Sequence, residues 1–368
     1  MSGTGATREA TPAYLEEKDR IFPSMESLMM PAARIRQRLW QAAAAVAVAA
    51  LSTCFAAAQG RTEGRRETPR LAPFDSFENL GPGPLPPWPM AGKRIHRPKA
   101  ATLEEGIDWC VENDMARLNA PGAAVAVVLD GELIYESGYG VKVRGGTAAV
   151  NPETVFRIGS VTKQMTAAAV MQQVELGRVD RGAPVTDYIP EFVIGGRWPA
   201  DRITVWHTLT HTTGFPDRIN DYVNVGDGAL SIWAQGQGEM GLHAPPGSFW
   251  NYSNPNFMVA GLVAERASGT PYRDLLKNSL WEPAGMHSTT FDPDEVVASG
   301  NYSHGHFYDS GTGGWQLVDP RDFDSWTAGP AGMTLSTVED LVRWALLLMD
   351  GGGPVLSPRS AAMMQHPH

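Results

Sequence analysis

Between Gly81 and Pro89 the chain reads Gly-Pro-Gly-Pro-Leu-Pro-Pro-Trp-Pro. Prolines at this density remove backbone donors and forbid helix or sheet, so any packed domain has to lie to one side of this stretch. Residues 59–101, rich in Arg, Glu, Gly and Pro, read as a partly extended tether. Phe74 and Trp88 would also permit a strap laid across a domain surface.

Upstream of the tether, residues 1–58 read as a leader whose apolar core is about 40–58. Arg34, Arg36 and Arg38 precede an Ala- and Val-rich stretch that ends in Ala56-Ala57-Ala58. Basic residues, a short apolar core and a small-residue cleavage site make a secretory signal. Two other readings stand beside it. Leu51-Ser52-Thr53-Cys54 loosely resembles a lipoprotein cleavage box, and an uncleaved membrane anchor is conceivable, although an Ala-rich core is weakly hydrophobic for a span. The expectation is an exported protein, periplasmic or extracellular, with a membrane tether through the leader as the variant.

Downstream, residues 102–368 carry the signals of a folded domain. Thr102-Leu103-Glu104-Glu105 is a capping box, so a helix starts there and runs to about Leu118. An apolar run over Ala123–Leu129, the turn Asp130-Gly131 and a strand-like Glu132–Tyr139 predict a hairpin. From residue 160 the pattern is mostly helical, with long loops between 192 and 260. The formal net charge of −10, with no basic stripe interleaved with aromatics, disfavours nucleic acid as a partner. The two cysteines are Cys54 and Cys110. If cleavage follows Ala58, Cys110 stands alone, and in a helix it reads as a small buried apolar residue.

The chemistry centres on Phe156-Arg157-Ile158-Gly159-Ser160-Val161-Thr162-Lys163, which leads into a helix over Gln164–Leu176 stopped by Gly177. Ser160 stands at that helix's start, and positions i and i+3 share a face, so Lys163 can reach its hydroxyl. A serine hydroxyl needs a base to become a nucleophile, and a lysine whose pKa is pushed down by burial can serve. The chain has six lysines among its 30 basic residues, so arginine is its default cation. Arginine could not deprotonate, which makes a lysine here informative. By itself the pair also fits a helix-capping serine with a surface lysine.

A second proton carrier is supplied by Pro246-Gly247-Ser248-Phe249-Trp250-Asn251-Tyr252-Ser253-Asn254. A phenol can act as acid or base if cations hold its pKa down, and an asparagine two residues on can hold a substrate amide and orient the lysine. The apolar helix Phe257–Ala267 anchors this loop. Tyr222-Val223-Asn224 has the same spacing without a following apolar helix and reads as a decoy. His304 and His306 make only a weak metal site. Ser336 and Glu339 form a capping box for a helix over Asp340–Leu348, with Leu341, Trp344 and Leu348 on one apolar face.

These blocks, with Leu209-Thr210-His211-Thr212-Thr213-Gly214, Trp281–Met286 and Ala331–Thr337, resemble the penicillin-binding-protein-like serine hydrolases. That group contains class C β-lactamases, D-alanyl-D-alanine carboxypeptidases and related esterases. The resemblance covers about residues 103–365. It implies an α+β fold, an antiparallel sheet flanked by helices beside a mostly helical lobe, with Ser160 in the cleft between them. It makes Ser160 the acylated nucleophile, Lys163 its general base, Tyr252 the acid/base serving leaving group and water, and Asn254 the substrate and lysine contact. The Ser160 N–H becomes half of an oxyanion hole. The substrates implied are β-lactams, D-amino-acid peptides or esters, with specificity in loops 192–245 and 287–328, and no metal or organic cofactor. A catalytic role for His211 competes with a loop-fixing hydrogen bond, which the resemblance favours.

The resemblance also implies a later Lys-x-Gly or His-x-Gly strand, and neither tripeptide occurs in the 368 residues. The expectation is therefore a domain lacking its C-terminal strands, whose hairpin has an open edge and an uncovered apolar face. A fragment of a longer reading frame, strands from another chain, or a catalytically impaired binding or scaffold relative would each account for this.

Overall fold

A computed structural model of the protein describes residues 102–217 and 226–367. The leader, the Pro-rich tether and Tyr222-Val223-Asn224 lie outside the described residues. The first helix, α1, is Leu103–Leu118. Thr102 Oγ1 accepts from the Glu105 N–H at 3.2 Å, and Glu105 Oε2 accepts from the Thr102 N–H at 3.4 Å, as the capping box requires. Strands β1 (Gly122–Leu129) and β2 (Glu132–Gly140) then form an antiparallel hairpin. Its turn is closed by Asp130 and Gly131, at φ +52° and +83°. Two successive left-handed residues match the right-handed twist of a two-residue hairpin, which is why Asp-Gly serves there.

The hairpin is not left bare. On one face Asp108 of α1 accepts hydrogen bonds from the Tyr135 and Tyr139 hydroxyls at 2.5 and 2.6 Å. On the other, Ala124 packs with Val150 and Val338. The expected uncovered face is thus corrected: a helix from each end of the domain lies against it. Cys110 is corrected as well. It is exposed, because α1 docks through Asp108 and buries none of its residues fully.

Strand β3 (Phe156–Arg157) leads through a single 3₁₀ turn (Gly159–Val161) into α2 (Thr162–Glu175). Two short helices follow, α3 (Val205–Leu209) and α4 (Ala229–Gln235), and then the long α5 (Asn254–Ser268). After α6 (Tyr272–Leu276) and α7 (Pro293–Ser299) comes a second hairpin of β4 (Gly305–Asp309) and β5 (Gly314–Val318). The described chain ends with α8 (Gly329–Gly332), β6 (Leu335–Ser336), α9 (Val338–Met349) and α10 (Pro358–Met364). Strand β6 pairs antiparallel with β3.

The strands thus form three separate two-stranded antiparallel pairs among the described residues, and helices dominate. The main core lies between α2 and α5, where Met165, Ala168 and Ala169 meet Met258 and Leu262, all fully buried. Trp281 plugs this core and donates its indole N–H to Met165 Sδ at 3.3 Å. Helix α9 is capped by Thr337, whose Oγ1 accepts from the Asp340 N–H at 3.2 Å. The expected Ser336 cap is displaced by one residue because Ser336 belongs to β6 and its hydroxyl meets Thr289 Oγ1 at 2.8 Å. Trp344 is buried on the apolar face of α9, with Leu341 and Leu348 partly buried beside it. No helix among the described residues is long and apolar enough to cross a membrane.

Candidate active site

The turn between β3 and α2 presents Ser160. Gly159 sits at φ +53°, a left-handed conformation that costs other L residues steric strain, and it turns the chain from strand to helix in one step. Three bonds lock the turn. Ile158 N–H donates to Thr334 O at 3.0 Å, Thr162 Oγ1 donates to Gly159 O at 2.7 Å, and Thr334 N–H donates to Thr162 Oγ1 at 3.3 Å. Arg157, just upstream, clasps the Met333 and Pro320 carbonyls at 2.9 and 2.8 Å.

Ser160 is exposed, whereas Lys163 one turn below is 6% exposed. Lys163 Nζ lies 3.0 Å from Ser160 Oγ, 2.8 Å from Asn254 Oδ1 and 2.6 Å from Ala331 O. The last two are pure acceptors. A neutral amine has two N–H donors and one lone pair, so both donors are committed to Asn254 and Ala331 and the lone pair is left facing Ser160. Burial supplies the neutral amine: it pushes the Lys163 ammonium from an ordinary 10.5 down to about 7, with the Asp217 carboxylate opposing the shift.

Tyr252 completes the group, its hydroxyl 2.7 Å from Ser160 Oγ. The depressed pKa that its proposed role called for is not found among the described residues. Burial raises it, the hydrogen bond with Ser160 opposes the rise, and the Asp217 charge adds to it. Tyr252 is therefore a protonated donor at neutral pH, and Lys163 is the more readily deprotonated of the two.

The remaining sequence candidates fall into place around this centre. Asn254, the first residue of α5, presents Oδ1 to Lys163. His211 reaches no nucleophile: its Nδ1 accepts from the Ser253 N–H at 3.2 Å and from Asn256 Nδ2 at 3.0 Å, while its ring lies 4.7 Å from that of Tyr252. Burial, aided by the Lys163 cation, holds it down at about 4, so it is a neutral brace for the tyrosine loop. His306 Nε2 accepts from the Arg144 N–H at 2.9 Å, a structural bond.

Two parts of the site were not anticipated from the sequence. Asp217 Oδ1 accepts from both the Asn254 N–H and Asn254 Nδ2, at 2.9 and 3.1 Å. A lone aspartate after Phe215-Pro216 reads as an ordinary turn residue, so nothing marked it. The Ala331 carbonyl is backbone and has no side-chain signature, although its block belongs to the resemblance.

The family model Beta-lactamase matches residues 107–368. The chain belongs to the β-lactamase family. Among curated proteins, this β-lactamase-family chain is 32% identical over 257 residues to penicillin-binding protein 4 of Amycolatopsis lactamdurans, covering 67% of this chain and 65% of that one. It is 31% identical over 265 residues to the unguisins hydrolase ungD′ of Aspergillus campestris, covering 70% and 49% of the two. It thus spans 65% and 49% of these relatives' lengths. The octameric penicillin-binding protein homologue from Pyrococcus abyssi superposes with a TM-score of 0.62 at 24% identity, over 72% of this chain and 60% of that one. A class C β-lactamase in complex with cefoxitin gives 0.56 at 22%, over 70% and 67%. The expected β-lactamase/transpeptidase-like α+β fold is therefore the fold observed.

Proposed function

We propose that the chain is a serine hydrolase that works through an acyl-enzyme on Ser160. The observation that carries this reading is the position of Ser160 Oγ, 3.0 Å from the Lys163 amine and 2.7 Å from the Tyr252 hydroxyl. In acylation the Ser160 proton passes to the Lys163 lone pair while Oγ bonds to the substrate carbonyl carbon. The Ser160 N–H, at the start of a helical segment, stabilises the oxyanion as one donor of the hole. On collapse the bond to the leaving group breaks. That group takes the Tyr252 proton, which the Lys163 ammonium replaces through the site. Water then attacks the ester by the same transfers in reverse, with its proton accepted and Ser160 reprotonated.

The substrate class is an amide or ester of β-lactam, D-amino-acid peptide or simple ester type. Support comes from the family membership and from relatives named as a penicillin-binding protein and an unguisins hydrolase. Export through the leader is part of the proposal, and N-terminal sequencing of the mature protein tests it.

Fluorescent penicillin and a fluorophosphonate are the direct probes. Both should modify Ser160 and neither should modify Ser160→Ala. A folded protein that takes no label, with Ser160→Ala indistinguishable from it, would defeat the reading and leave a binding or scaffold role. Nitrocefin, p-nitrophenyl esters and D-Ala-D-Ala peptides then sort the substrates by turnover.

A further inference from the structure

The direction of the Lys163 lone pair depends on which way the Asn254 amide is turned. With Oδ1 toward the amine, Asn254 takes one of its two N–H donors. With Nδ2 toward the amine, it would face the lone pair and draw it away from Ser160. Lys163 cannot choose between these by itself, since it can both donate and accept when neutral. The choice is made on the far side of Asn254, where Asp217 Oδ1 accepts from Nδ2 at 3.1 Å. A carboxylate accepts and cannot donate, so only one amide orientation satisfies it.

Asp217 is itself held in register by its neighbours. Asn251 Nδ2 donates to Phe215 O at 2.7 Å, Ser253 Oγ donates to Pro216 O at 3.2 Å, and the Asn254 N–H donates to Asp217 Oδ1 at 2.9 Å. Three consecutive residues of one loop are thus tied to the loop that carries Tyr252. Phe215 is fully buried and anchors the first of them. The Ser253 side chain, which stands in the usual capping position of α5, is turned to Pro216 instead, and Asp217 accepts from the helix's first N–H, that of Asn254. A negative charge there is favoured by the helix dipole.

We propose that Asp217 is a positioning residue for the general base: it orients the Asn254 amide, and through it the Lys163 lone pair, toward Ser160. The inference rests on the reading of Lys163 as base. Asp217 also acts on Lys163 by charge, opposing the effect of burial. Among the described residues, the other titratable groups facing Lys163 are Tyr252, from the loop before α5, and His211, from the loop after α3. Helix α8 contributes the Ala331 carbonyl.

The test separates orientation from charge. The second-order rate of Ser160 labelling by a fluorophosphonate is measured from pH 5 to 9 for the wild type, Asp217→Asn and Asp217→Ala. Asp217→Asn removes the charge and keeps an oxygen acceptor, which the Asn254 backbone N–H, a donor only, holds toward Asn254. Its plateau should stay close to wild type while the acid limb moves to lower pH. Asp217→Ala removes both, so the limb should move and the plateau should also fall, by roughly tenfold to a hundredfold. An unshifted limb in Asp217→Asn, or an undiminished plateau in a folded Asp217→Ala, overturns the proposal. A wild type that takes no label at Ser160 sinks the reading of the site and this proposal with it. A wild type that labels while both variants match it at every pH sinks this proposal alone.

Discussion

The Ala331 carbonyl accepts the Lys163 amine at 2.6 Å, shorter than either bond the lysine makes to a side chain. The amine is therefore fixed to the backbone of α8 as well as to its own helix. Helix α8 in turn packs on α5, with Pro330 over Gly261. A methyl added to Gly261 would stand 2.5 Å from Pro330 Cβ and closer still to its Cγ. Gly261→Ala should thus push α8 away from α5 and carry the Ala331 carbonyl with it. The expected loss is about 1–3 kcal/mol of stability by overpacking, measured by denaturant unfolding. Ser160 labelling should slow in the same variant while it remains folded.

Lys163 sets the pH dependence. An amine is a base only above its pKa, and burial holds this one at about 7. The rate of Ser160 acylation should rise with pH through about 7 and level off above it. Lys163→Arg keeps a cation that cannot deprotonate. It should lower the rate by about 10²–10⁴-fold, and raising the pH to 9 should not restore it. A variant that recovers at high pH would mean that Lys163 acts by charge alone.

Tyr252 is assigned to the leaving group, and leaving groups differ in their need of a proton. A p-nitrophenolate departs without one, whereas an amide nitrogen does not. Tyr252→Phe should slow amide or β-lactam acylation by about 10²–10⁴-fold and acylation by a p-nitrophenyl ester much less. Equal losses with both substrates, read from single-turnover rates, would contradict the assignment.

His211 links the site to stability. Its folded pKa is depressed to about 4 from an ordinary 6.5, so between these values the unfolded chain binds the proton and the folded chain does not. The stabilisation is present above pH 6.5 and is lost as pH falls from 6.5 through 4. His211→Asn should flatten that decline in a denaturant-midpoint series. Asparagine tolerates the φ of +56° found there and can keep an oxygen facing the Ser253 N–H.

What the sequence revealed follows the range of the forces involved. The Thr102–Glu105 box and the Asp130-Gly131 turn are local, and both appear where the pattern puts them. Ser160 and Lys163 were suggested by spacing along one helix. Tyr252 and Asn254, on another element, could be joined to them only through the ordered blocks of the family resemblance. Asp217 stayed hidden because its role arises from contact between two loops, which leaves no periodicity. Cys110 was misjudged because an apolar residue on a helix is informative only when the helix buries a stripe, and α1 is held mainly through Asp108. At Ser336-Thr337 either hydroxyl could cap, and the choice was settled by a strand pairing with Phe156.

One turn of helix separates an exposed oxygen, Ser160 Oγ, from an enclosed nitrogen, Lys163 Nζ. Under the proposed chemistry a proton taken from the serine enters a compartment walled by Asn254, Ala331 and the Tyr252 and Phe257 rings. Ser160 and Tyr252 lie beside it, and the amine itself is only 6% exposed. If transfer to them outruns exchange with buffer, each acylation loads the site with the proton that its own leaving group will need. The enclosure would then serve as a one-proton store, and departure of the leaving group would be timed by the chemistry at Ser160 rather than by exchange with bulk water.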